Sequence, residues 1–589
     1  MALQTTTQIY IAGTQILSYV RLELVQEIDA HHDLELACRR DVIEKLSEDL
    51  IGDSKEYLGA TVTVQISAGS KLEGYKELQF KGVITRIKGS KAASSSSGEI
   101  VTLYAKSASI LCDDGGHYSS FNDTSLSEIL EDTFRGYDTS RLETSFSPVF
   151  TEAIHYSVQH NQSAFSFASR LASYYNEWFY YDGKKLVFGS PSQDETILTS
   201  GIDLHNFSVE LSSVPNSFGY STNDYLTDEL HQKSSSDVTI PSEGYHGFTN
   251  AKSKEIFSKE TQVYHHLYND PSLKRRLDTQ VEQYTKARAM QQVIAKGSSD
   301  NPGVNLGEIV KIEGYGSYRV INIIHSNIEG GAYRNHFVAV EASFDTYPKM
   351  NINNFPKSEI QIAKVMENND PDGLSRIRVQ FSWQKPLGEM TPWLRMMTPH
   401  AGSDKGFHFI PEVGEEVVVN FEGGNAERPF VAGTLYHGSA SANSWQSNAN
   451  DIKAIKTRSG HLIELIDSKG AESITITDKN RNVININTAS NDITISAGEN
   501  MTFNAKNMQI NVEENLDVSV GKNKSEMITG DYFVSATNED RQVGETIKVI
   551  SSEFKQEAQE ITTDASGEIK TNAGGKITIA SAETVEYGE

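Results

Sequence analysis

The sequence predicts a mainly β protein whose C-terminal part is a rod built by three chains. Three observations carry this. Strand-length runs of alternating apolar and polar residues recur along most of the 589 residues. All 14 prolines lie at or before Pro429, so the chain beyond that position has none. Within that proline-free region the apolar residues fall in i, i+2 pairs at a near-octet interval.

Residues 1 to about 115 are expected as short strands, among them Thr61–Ile66, Phe80–Ile87 and Ile100–Ala105, with Lys88–Gly98 (KGSKAASSSSG) as a hairpin loop. Leu126–Phe134 is helical in pattern, with Ser125 as N-cap and Glu128 three residues on. Ala164–Tyr175 is a second helix, and Phe179–Phe188 a hairpin turning at Asp182-Gly183. Strands resume from about 190 to 350, with a polar loop at Ser234–Asp237 and one longer helix near Leu273–Lys296. Short strands dense in Gly and Pro turns at 358–438 fit a small Greek-key barrel.

The rod follows from the repeat. The pairs Ile493/Ile495, Met501/Phe503, Ile510/Val512 and Val518/Val520 follow one another at near-octet steps, with Gly, Asn or Asp between them. That is strand, tight turn, strand. Missing prolines agree, because every strand residue needs its N–H for a neighbour. An octet is too short to enclose a core by itself, whereas three chains around one axis close a triangular prism. These paired residues are therefore assigned to the core of a homotrimeric β-prism over 451–589. At about 4.8 Å per strand the rod would be on the order of 80 Å long.

A net charge of -26 opposes nucleic-acid binding, which needs basic surface. The two cysteines, Cys38 and Cys112, are read as reduced core thiols. The N-terminus lacks a basic start and a continuous apolar run, and no stretch reaches the ~18 apolar residues of a membrane helix. A chain made in the cytoplasm and moved by other means follows.

Three motifs resemble one family. Tyr156–Phe188 is similar to the hub signature of valine-glycine repeat protein G (VgrG), with Val158, Gln159, His160, Asn161, Ser163, Phe167, Arg170 and Leu171 at matching places and Gln162 where an acid is usual. Arg376–Trp383, Gly406–Val419 and Asn425–Pro429 (NAERP) resemble the family's oligonucleotide/oligosaccharide-binding (OB) barrel, and Thr457–Ile476 the strap that opens its needle. The resemblance implies a hub of two β-barrels with helical insertions over 1–350, an OB barrel over 358–438, a linker over 439–450 and an intertwined triangular needle over 451–589. It implies a spike of a contractile injection system, of the type VI secretion class or else of a phage or phage-tail-like particle. The trimer would cap a hexameric inner tube at the baseplate, carry effectors or a PAAR (proline-alanine-alanine-arginine) tip protein, and touch the target membrane transiently. It would be cytoplasmic before firing and injected without a signal peptide.

Catalytic, cofactor and metal sites are not expected. The pairs His31-His32 and His265-His266 point to opposite faces of a strand, and His155 and His160 flank one. HExxH, Walker and GxSxG motifs are missing from the sequence, and the short connection Gly438–Asp451 leaves no room for a lysozyme. The chain is expected to end with its needle, without a histidine-bound tip ion, since none follows His461. Phe381, Trp383, Trp393 and Phe409 are expected to pack the barrel core rather than stack on a ligand. A trimeric adhesin or a cell-wall hydrolase are the competing classes.

Overall fold

Alternation decides the first sheet. In Thr61–Ala68 the residues Val62, Val64 and Ile66 turn inward while the threonines and Gln65 face out. Thr5–Ile11, Arg21–Glu27, Asp33–Arg39, Leu78–Ser90 and Ile100–Ser107 behave alike and close around Leu22, Leu24, Leu36, Phe80 and Leu103. The computed structural model describes residues 5–44, 49–68, 76–91, 99–330 and 332–588, so most of the expected 88–98 loop lies outside the described residues. A second group of strands, from Glu195–Leu198 to Arg334–Glu341, joins the first through one seam. Gly316–Ile328 pairs antiparallel with Arg21–Glu27, from Asn322↔Glu27 to Ile328↔Arg21, merging both groups into one 13-stranded sheet.

Between the two groups lies an insertion. Leu126–Thr133 starts at a complete capping box between Ser125 and Glu128, and Ala164–Tyr175 occupies the expected residues. That helix buries Phe167, Ala168, Leu171 and Ala172 against the hairpin Trp178–Tyr181/Lys185–Gly189. Asp182 accepts from the N–H groups of Lys184 and Lys185, and Gly183 has φ 104°. Three expectations change. The long helix ends at Met290, and Val293–Ser299, with its Val-Ile start, is a strand. Ser234–Asp237 is the end of a strand and a one-turn 3-10 helix capped by Ser234. Gly244–Ile256 is a helix that two glycines and a weak apolar stripe hid. Cys38 and Cys112 are both buried free thiols, pushed up to about 12 by burial.

The small barrel has a four-stranded sheet, Arg378–Phe381, Gln361–Glu367, Glu416–Phe421 and Pro429–Thr434, in that spatial order. Phe381, Val417 and Val419 fill it, and Phe381 lies parallel to Trp383 at 5.5 Å. A bidentate ion pair ties its loop: Arg376 donates to both Asp370 oxygens, and against its burial this holds the Asp370 carboxyl down to about 2. Phe409 departs from expectation. It is exposed on the side of the barrel next to the C-terminal strands.

Those strands differ from the expected rod in their first part. Ile452–Lys456, Leu462–Ile466, Ser473–Thr477, Val483–Asn487 and Asp492–Ser496 pair with one another as an antiparallel meander within the one chain. Their starts lie further apart than an octet, so the octet spacing begins only with the last of them. From 498 to 588 every described residue is exposed, and no backbone–backbone hydrogen bond is formed among described residues 497–588.

Candidate functional site: a clamped joint and an open apolar face

The hub motif builds the joint to the small barrel. Ala153–Gln162 pairs antiparallel with His117–Ser125 as a two-stranded ribbon, in which Val158 stands opposite Ser120. Both outer edges of that ribbon would leave N–H groups unpaired. Barrel carboxylates fill them on the same rung. Glu389 accepts from the Ser120 N–H at 2.7 Å and its hydroxyl at 2.8 Å, and from the Ser119 hydroxyl at 3.0 Å. Glu427, the acid of NAERP, accepts from the Val158 N–H and the Ser157 hydroxyl, each at 3.1 Å. The barrel thus grips the ribbon from both sides.

Arg170 completes the grip. It is buried, donates to Glu427 at 3.1 Å and to the Val158 carbonyl at 2.7 Å, and its Cζ sits 5.1 Å from the centre of the Phe167 ring. Arg170 and Glu427 together stand in for a neighbouring strand, one donating to Val158 and the other accepting from it. Gln162, where an acid is usual, still serves: its side-chain oxygen accepts from Arg170 Nε at 3.1 Å.

The other motif residues shape this corner. Asn161 takes a left-handed φ of 54° at the bulge where the ribbon ends, which Asn tolerates. Gly116 faces it, and a Cβ there would lie 2.1 Å from the Asn161 side-chain oxygen. Gln159, also buried, donates to the Gln162 carbonyl at 2.8 Å. His160 stands edge-on to Tyr118 at 5.0 Å and accepts from Gln361, which in turn accepts from Trp383 Nε1 at 2.9 Å. Burial lowers the His160 pKa, which keeps it a neutral acceptor. Phe167 is fully buried and lies parallel to Phe121 at 6.1 Å. Burial, with Glu389 and Glu427 nearby, raises the pKa of the Tyr156 phenol between them. A second contact joins Arg428 to Asn269 at 3.1 Å and to Glu422 at 2.7 Å.

Both histidine pairs lie just outside strands, before Asp33–Arg39 and after Thr261–Tyr264, and the members of each pair separate. His32 is buried, while His31 lies between Ser109 at 2.8 Å and Asp113 at 3.2 Å. That Ser–His–Asp arrangement has the residue types of a nucleophile relay, but Ser109 is fully enclosed and also bonded to Ser107, so no substrate reaches it. His265 is buried, and His266 turns to Glu422 at 3.8 Å. His155 stacks on Tyr268 at 3.8 Å and bonds Asp123 at 2.7 Å.

The meander carries the second feature. Its register lines up Ile455, Ile463, Ile476, Ile484 and Ile495 in one row, and Lys453, Leu465, Ile474, Ile486 and Ile493 in another. Side chains alternate along each strand, so both rows share one face. The row between them, Ala454, Glu464, Thr475, Asn485 and Thr494, lies on the other face. Nine aliphatic side chains are thus side by side and 38–68% exposed. Fully burying one from water gains about 1.5–3 kcal/mol, so covering these half-exposed groups would gain about 1 kcal/mol each. The residues assigned to the rod core, Ile493, Ile495, Met501, Phe503, Ile510, Val512, Val518 and Val520, are all exposed in the single chain.

Comparison with known proteins places this architecture. Residues 27–322, half of the chain, match the phage tail baseplate hub (GPD) family, and residues 361–436 match the type VI secretion system/phage-baseplate injector OB domain. The type VI secretion system spike protein VgrG1a of Pseudomonas aeruginosa is 24% identical over 528 residues, covering 77% of this chain and 79% of that protein. VgrG1c of the same organism is 22% identical, covering 79% and 67%. A chain of the half-lidded PdpA-VgrG complex from Francisella shares the fold, with a TM-score of 0.52, 8% identity and coverage of 84% of this chain and 88% of that one. The chain belongs to the phage tail baseplate hub family and is a homologue of the VgrG type VI secretion spike proteins.

Proposed function

We propose that this protein is the trimeric spike of a contractile injection system of the type VI secretion class. One observation carries the reading: behind a hub and an OB barrel, an uncovered face of nine aliphatic side chains leads into extended chain that has no backbone partner of its own. Backbone with a row of open N–H and C=O groups is a template for pairing with another chain, and two further copies would complete it. The VgrG relatives support the same order of parts.

On this reading the hub ring seats on a hexameric inner tube at the baseplate, and the clamped joint carries axial load from hub to needle. The far end of the rod receives a PAAR tip protein and effectors, and touches the target membrane only in passing. The role is structural rather than catalytic. The last strand of the barrel ends at Thr434 and the meander begins at Ile452, which leaves a connection and no enzyme domain between them. The protein waits in the cytoplasm and leaves through the apparatus.

The test is export. In its own host, the tagged chain should reach the medium only when the sheath contracts, and a sheath deletion should retain it. Export without a sheath would refute the reading. Dependence on a sheath but not on a membrane-anchoring complex would favour a free phage-tail-like particle.

A further inference from the structure

We propose that the meander 452–496 is the trimerisation nucleus of the rod, and that residues 497–588 fold only after three meanders have closed. This rests on the spike reading above and adds an order of assembly to it. The two parts of the C-terminal region differ in what they need. Each strand of the meander finds its hydrogen-bonding neighbours within its own chain, from Ile452↔Ile466 to Asn487↔Asp492. A single chain can therefore form this sheet and present its apolar face ready-made. The segment behind it has no such option, since described residues 497–588 form no backbone–backbone bond with one another or with the rest of the chain.

The occupant of the open face is a second and a third copy of the same sheet. The face runs without a break into the unpaired segment. Met501 lines one trough of about 540 Å³ together with Ile455, Ile463, Ile476, Ile495 and Phe409 of the barrel. Whatever covers this trough also meets the start of a segment that can be completed only by other chains. Its β-strand repeat continues the same apolar pairs, so the partner best matched to it is the chain itself. Phe409 then closes the base of the prism, where the barrel meets the rod. Loop closure explains why order matters: pairing three long unpaired segments directly is entropically slow, and three preformed sheets hold them in register first.

Two double variants of the full chain test this. Ile474→Asp with Ile486→Asp charges the meander face, and Ile510→Asp with Val512→Asp charges the distal pairs. Light scattering reports mass, limited proteolysis the state of 497–588, and the melting transition of the hub serves as a folding control in both. The distal variant should keep a mass three times that of the 65.2 kDa chain, with cleavage beyond residue 497 accelerated at least tenfold. The meander variant should run at the 65.2 kDa of one chain, with an intact hub transition and rapid cleavage of the same segment. A trimeric meander variant, or a distal variant that falls apart into monomers, would overturn the nucleus. An unmodified chain that is monomeric would instead overturn the spike reading on which it rests.

Discussion

The hub and the C-terminal region use similar strands and reach opposite ends of the burial scale. In the hub, Leu22, Leu24 and Phe167 are covered by their own chain, and ribbon edges left open are filled by Glu389, Glu427 and Arg170. In the meander the same alternation of Ile and Leu leaves nine side chains 38–68% exposed on one face. The difference lies in what each strand faces. A hub strand has a sheet closing around it, whereas the meander is a single flat layer, and one layer has no inside. Where the chain ceases to satisfy itself is where the spike reading supplies copies of it.

Acid should break this comparison most strongly. Burial drives His32 and His325 down to about 3 and His265 to about 4, with the neighbouring His31 and His325 also lowering His32. Their folded pKa values lie below the unfolded value near 6.5, so the unfolded chain binds protons first as pH falls. Their stabilising contribution is complete above about pH 6.5 and declines toward pH 4, by about 1.4 kcal/mol per pH unit for each histidine. No histidine follows His461 in the sequence. Melting of the hub should fall steeply between pH 6.5 and 5, while the protease-resistant rod persists over the same range.

Arg170→Ala comes next. It leaves the Val158 carbonyl without its side-chain donor and the part-buried Glu427 without its charge partner, a loss of about 3–5 kcal/mol in the hub transition by thermal unfolding. Adding Glu427→Ala should cost less than the sum of the two single changes, because both act on Val158.

Paired truncations sharpen the contrast at a similar or smaller scale. Leu171→Ala should cost about 2–5 kcal/mol whatever the protein concentration, since its cavity opens inside one chain. Ile476→Ala should cost about 2–4 kcal/mol, expressed as a melting temperature that depends on protein concentration. Concentration-independent loss at Ile476 would mean that its face is covered from within.

Local chemistry is legible in the sequence. Ser125 with Glu128, the helix Ala164–Tyr175 and the Asp182-Gly183 turn each depend on residues a few positions apart, and each lies where the pattern puts it. The hub and OB motifs are legible as signatures. Their contact is not: Glu389 and Ser120 lie 269 residues apart, and nothing in either motif names the other. The seam at Asn322↔Glu27 is hidden for the same reason. Val293–Lys296, the start of the strand Val293–Ser299, reads as helix because the helix formers of KARAMQQ run straight into it. The meander merges with the octet rod in sequence because its apolar pairs look alike, although its longer turns allow strands of one chain to pair. Phe409 reads as a core residue because an isolated barrel has only one place for a large aromatic ring.

The central claim is that the C-terminal region is completed by copies of the same chain. Multi-angle light scattering of the unmodified protein tests it most directly. A single species with three times the mass of the 65.2 kDa chain is predicted across dilution. A stable monomer of 65.2 kDa would contradict it.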